Sequence, residues 1–71
     1  MDRNETINLM VRLANILQKA YSYQLCQEIW KICSEWNSEN PEDEIFMCEH
    51  TDCDNVVDGF YIEDDYWIFN D

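Results

Sequence analysis

The chain has 71 residues, 46% of them apolar and 14% aromatic, with a formal net charge of −12. That length holds one domain, residues 1–71, with no room for a deep cleft between two layers. The apolar content excludes a disordered acidic tail, and no stretch approaches the roughly 18 apolar residues of a membrane span. All four basic residues, Arg3, Arg12, Lys19 and Lys31, lie in the first 31 positions beside Asp2, Glu5 and Glu28. Residues 32–71 hold the other 13 acids and, apart from His50, no cationic side chain. Such a surface repels nucleic acid and anionic membranes and attracts basic proteins.

In chain order, Ile7, Met10, Val11, Ala14, Leu17 and Tyr21 recur at steps of three and four, widened by Leu9, Leu13 and Ile16. The pattern predicts an amphipathic helix over residues 5–20, capped by Asn4 or Thr6, with a face wide enough for two neighbours. A second helix is expected from Ser22 to about residue 37, burying Leu25, Cys26, Ile29, Trp30, Ile32, Cys33 and Trp36, with a stop at Ser38-Glu39-Asn40. No Gly or Pro separates the two, so one long helix is the alternative, but an antiparallel pair buries more.

Residues 41–71 form an acidic, aromatic, β-rich part. Asn40-Pro41-Glu42 has the form of a helix start, yet the apolar segment Ile45-Phe46-Met47-Cys48 is short, so residues 41–48 read equally as helix or strand. Phe60–Glu63 and Tyr66–Phe69 are strand-like runs around Asp64-Asp65, and Asp58-Gly59 offers a second turn with Val56-Val57 as a third strand. The expected class is α+β: an N-terminal helical hairpin, residues 5–37, packed on a C-terminal antiparallel β-hairpin or three-stranded sheet.

Cys48, His50 and Cys53 place two thiols and an imidazole within six residues, a partial zinc set that Cys26 or Cys33 would have to complete. Cys26 and Cys33 are seven residues apart, about 10 Å along a helix, so they cannot share an ion, and core packing is the simpler reading for both. The stretch from Asp54 through Gly59 to Asp65 partly mimics a calcium loop, but Val56 stands where a ligand is needed. A single His, a single Gly and no nucleophile–base–orienter set point away from an enzyme.

The remaining reading is a partner-binding surface. Its candidate residues are Glu42, Asp43, Glu44, Glu49, Asp52, Asp54, Asp58, Glu63, Asp64 and Asp65, interleaved with Tyr61, Tyr66 and Trp67. Carboxylates steer and pair with Arg and Lys, while surface Tyr and Trp are frequent anchors. In size, charge and aromatic content the chain resembles the small acidic inhibitors of phages and mobile elements, of DNA-mimic, anti-CRISPR or anti-restriction type. The resemblance rests on composition, above all over residues 35–71. It implies a stoichiometric, non-enzymatic inhibitor without a cofactor, acting in the host cytoplasm on a basic nucleic-acid-binding protein or nuclease complex. Two alternatives remain: a zinc-stabilised regulatory module using Cys48, His50 and Cys53, and a homodimeric assembly factor joined through the apolar face of residues 7–21. Direct nucleic-acid or membrane binding is not expected of either a monomer or a homodimer.

Overall fold

A computed structural model describes residues 1–51, 57–63 and 66–69, with residues 57–58 and 66–69 described through their backbone alone. Two helices, α1 (Arg3–Lys19) and α2 (Tyr23–Glu39), precede three strands, β1 (Met47–Thr51), β2 (Val57–Ile62) and β3 (Tyr66–Phe69). The α+β class is as expected, with the helical hairpin lying on a three-stranded antiparallel sheet of order β1-β2-β3.

α1 begins two residues earlier than the capping pattern suggested. Asp2, rather than Asn4 or Thr6, is the N-cap, and its carboxylate accepts from the Glu5 N–H at 2.8 Å. A carboxylate there both satisfies an orphan donor and faces the positive end of the helix dipole. Thr6 is instead buried, donating its hydroxyl to the Asp2 carbonyl at 2.9 Å. Ser22 caps α2 as expected, accepting from the Leu25 N–H. Ala20 and Ser22 are extended, so the chain reverses without Gly or Pro because a side-chain acceptor starts the second helix.

Residues 41–48 prove to be a turn leading into a strand. The Asp43 N–H closes the turn on the Asn40 carbonyl at 3.0 Å. A helix is pre-empted because the Asn37 side-chain amide takes both backbone groups of Ile45. Its Oδ1 accepts the Ile45 N–H at 2.7 Å, and its Nδ2 donates to the Ile45 carbonyl at 3.1 Å. Cys33 Sγ donates to that same carbonyl at 3.5 Å, and Trp36 Nε1 donates to the Asp43 carbonyl at 2.8 Å. The segment is thereby strapped to α2, with Ile45 driven into the core.

Two strand expectations are corrected. The third strand is β1, while Val57 opens β2 and Val56 falls outside the described residues. Asp58-Gly59 is not a turn but part of β2. His50 pairs with Gly59 and Thr51 with Val57, so Asp58 is the extra residue of a bulge. Pairing of Val57–Ile62 as strand also removes the calcium-loop reading of residues 54–65, which needs a coordinating loop there.

The core lies between the hairpin and one face of the sheet. Met47, Phe60 and Ile62 meet Ile7, Met10, Ala14 and Leu17 of α1 and Cys26, Ile29 and Cys33 of α2. Burying each large side chain contributes about 1.5–3 kcal/mol, which a domain this small needs. Cys26 and Cys33 are core residues as read from the sequence. The α1 face that the dimer alternative would use is largely occupied by this packing. Ile16 is half-exposed on it, and Tyr21 lies beyond the helix.

Candidate partner-binding surface

Antiparallel pairing of the helices brings the start of α1 and the end of α2 to one pole, where Met1, Thr6, Ile32, Glu35, Trp36 and Glu39 share a groove. The turn after α2 adds Glu42, Asp43 and Glu44, all exposed. With Asp2 and Glu5 at the start of α1 and Glu63 at the end of β2, this pole is densely anionic. Arg12 and Lys19 stand roughly 13 Å and 24 Å further along α1 than Arg3. Along α1, charge therefore runs from acidic at its start to basic at its end.

One cationic side chain does reach the acidic pole. Arg3 donates through Nη2 to the Glu44 carbonyl at 2.9 Å and to the Glu63 carboxylate, while its Nε lies 3.2 Å from Asp43 Oδ1. The Nε contact is an ion pair without the alignment of a hydrogen bond. Asp43 and Glu63, both expected to bind a partner, are thus engaged within the chain and tie α1 to the turn and to the sheet. Glu35, Glu39, Glu42 and Glu44 carry the outward charge of this pole. Glu63 also has φ 55°, the left-handed region, and its N–H donates to the Phe46 carbonyl at 2.9 Å.

The second candidate surface is the sheet face turned away from the helices. Alternation places Phe46, Cys48 and His50 on it, across from Tyr61 and Gly59 of β2. Phe46 is 56% exposed and meets Tyr61 edge-on, with ring centroids 6.1 Å apart at 77°. Cys48 and His50, from the zinc alternative, share this face and are exposed. Among the described residues no three metal-ligating side chains come together. Trp67 stands opposite Tyr61 in the register and Tyr66 opposite Ile62. Asp52, Cys53, Asp54, Asp64 and Asp65 lie outside the described residues, and Asp58 is described only as part of β2.

Glu49 is on the helix-facing side of β1, opposite Phe60, yet remains exposed because β1 is an edge strand. Its Oε2 accepts from Trp30 Nε1 at 3.0 Å. The buried thiols of Cys26 and Cys33 are pushed above the ordinary thiol range, first by desolvation. That favours inert packing over nucleophilic chemistry. Sequence reasoning missed the structural role of Arg3, the exposure of Phe46 and the exposed position of Tyr23. Only the spacing of Tyr23, Gln27 and Trp30, one helical stripe, carried a signal for the last. No protein-family model, curated protein or solved structure matches this chain.

Proposed function

We propose that the chain is a non-enzymatic inhibitor that presents a rigid anionic surface to the basic nucleic-acid-binding site of another protein, a bacterial defence nuclease being the sharpest case. The observation that carries this reading is the placement of Glu35 and Glu39 toward the C-terminal end of α2, whose last turn holds no basic residue. Carboxylates at a helix C-terminus oppose the dipole and cost about 0.3–1 kcal/mol each. A domain with little stability to spare keeps them at the pole where the α2–β1 turn adds three more acids, and function accounts for that where stability does not. Glu35 and Glu39 are also about 6 Å apart along the axis, near the advance of two phosphates on one DNA strand at about 3.4 Å each. Among the described residues no helix is long and apolar enough to cross a membrane.

The test is binding to purified nucleic-acid enzymes, CRISPR effector and restriction nucleases among them, across a salt series. Affinity should fall steeply as salt rises. Lysine at Glu39, Glu42 and Glu44 together should weaken it at least tenfold without unfolding the chain, since none of the three side chains bonds Arg3. Binding that is indifferent to both salt and these substitutions rejects the reading.

A further inference from the structure

Between the first two turns of α2 and the outer half of β1 lies a groove of about 420 Å³ with an unusual lining for so acidic a protein. Its walls are the rings of Tyr21, Tyr23 and Trp30, joined by Glu49 and Thr51 from the strand. Tyr23, Gln27 and Trp30 recur at four and three residues, so one stripe of α2 faces the strand. Glu49 and Thr51 are two apart on β1 and point to the same side. The groove exists because β1 is an edge strand. Its first residue, Met47, is covered by the helices and the following four are exposed.

The parts are held in place. Tyr21 and Cys26 share the groove wall, and Trp30 Nε1 donates to Glu49 across it. Among the described residues no Lys or Arg lines the groove. Tyr23 is 66% exposed and Tyr21 40%, so ring surface is open to a ligand. Aromatic faces beside a carboxylate attract a cation, and a planar guanidinium both stacks on rings and donates to carboxylate oxygen. An ammonium is more strongly hydrated and cannot stack.

We propose that this groove is a receptor for an arginine side chain of a basic protein partner. The partner's identity rests on the function proposed above, whereas recognition of guanidinium rests on the groove alone. Arginine stacks against Tyr23 and Trp30 with its guanidinium on Glu49, which keeps its Trp30 hydrogen bond and accepts further donors.

The experiment follows the tryptophan indole N–H resonances, assigned by Trp→Phe variants, as blocked Gly-Arg-Gly peptide is added to the full chain. Matched peptides carry citrulline or lysine instead of arginine. The Trp30 signal should shift saturably with arginine. Trp36, whose indole bonds the Asp43 carbonyl at the acidic pole, should move little and report diffuse charge attraction. Citrulline should give no saturable shift, and lysine should bind at least threefold more weakly. Glu49→Gln keeps an acceptor for Trp30 and removes the charge. It and Tyr23→Ala should each weaken arginine binding about threefold, the scale of an exposed cation–π or ion-pair contact. Equal binding of citrulline or lysine, equal movement of Trp36, or indifference to both substitutions overturns the proposal. Salt-sensitive nuclease binding that survives Tyr23→Ala and Glu49→Gln, with no arginine-peptide shift at Trp30, removes the groove and leaves the proposed function standing. A specific arginine shift without any nuclease partner does the reverse.

Discussion

Arg3 in the first turn of α1 and Glu63 after the last residue of β2 are paired across 60 residues of sequence, and the same guanidinium holds the turn that follows α2. The contact links the helical and sheet parts at the point where like charge is densest. With Arg3 about one-third exposed, screening limits its worth, but three partners on one rigid fork exceed a lone surface pair. Arg3→Gln should destabilise the fold by about 1 kcal/mol, read as a lower urea midpoint at unchanged m. In a double-mutant cycle with Glu63→Gln the coupling should be about 0.5–1 kcal/mol and shrink in 1 M salt. Additive single effects would show that the pair contributes nothing.

The backbone of Glu63 imposes a separate requirement. At φ 55° an L-residue with a Cβ is strained by about 1–2 kcal/mol, least for Asn and Asp and most for β-branched residues. Glu63→Val and Glu63→Gln both remove the carboxylate, so their difference isolates the conformation. Valine should cost about 1 kcal/mol more than glutamine, and Glu63→Asn should equal or exceed glutamine in stability. The check is thermal melting, where about 1 kcal/mol shifts the midpoint by roughly 4–8 °C in a domain this size. Equal melting of all three variants would mean that the turn relaxes.

How much of this was legible in the sequence follows from which interactions are local. The helices were, because Ile7, Met10, Ala14 and Leu17, then Cys26, Ile29 and Cys33, repeat at helical spacing and bury on one side. The span of β3, Tyr66–Phe69, was also readable as an aromatic, β-branched run. The cap at Asp2 was missed because Asn4 has the same intrinsic preference and Thr6 nearly as much, while the earlier start places Arg3 in the first turn, where it reaches Asp43 and Glu63. The approach to β1 read equally as helix or strand, because Pro41 and its acids have the form of a helix start. Asn37, eight residues back, decides that segment by acting as a surrogate peptide for Ile45, and no periodicity encodes such a bond. The charge pattern located the acidic region but did not separate Asp43 and Glu63, whose carboxylates Arg3 holds, from Glu39, Glu42 and Glu44, whose side chains make no bond to it.

The buried thiols give a pH and reactivity test. Burial raises Cys26 and Cys33 above the ordinary thiol value of 9.0. In the unfolded chain they ionise at that ordinary value, so above it the unfolded state has fewer protons bound and stability falls as pH rises. The contribution is whole below about pH 9 and is lost as pH climbs through the raised native values. In a Cys53→Ser variant at neutral pH, exposed Cys48 should react promptly with a thiol reagent while Cys26 and Cys33 wait for unfolding. Alkaline destabilisation should diminish in Cys26→Ala and Cys33→Ala. Rapid labelling of three thiols in the native protein would contradict the packing.

Phe46 and Phe60 lie on opposite faces of the same sheet and predict opposite costs. Phe60 is 1% exposed, so Phe60→Ala should lose about 3–5 kcal/mol and leave little folded protein, with Phe60→Leu as a measurable intermediate. Phe46→Ala removes an exposed ring whose contact in this fold is the edge-on pair with Tyr61, and should cost under about 1 kcal/mol. A large loss at Phe46, read from chemical denaturation, would mean that the open face of the sheet is covered.

The acids near the end of α2 give the prediction that joins stability to function. Glu39 ends a helix whose last turn contains no cation, so its charge opposes the dipole and adds to the repulsion of a chain at −12. Glu39→Gln should therefore stabilise the domain by about 0.3–1 kcal/mol, and Glu39→Lys by somewhat more. The gain should fade as salt screens the field. If the acidic pole is the binding surface, the same substitutions weaken a basic partner, so stability and affinity move in opposite directions at one position. Glu28 lies in the first half of α2, away from that pole, and serves as the control: Glu28→Gln should leave partner affinity nearly unchanged. Denaturation midpoints and partner titrations on the three variants decide it. Glu39→Gln that stabilises without weakening the partner would show that the charge serves solubility alone.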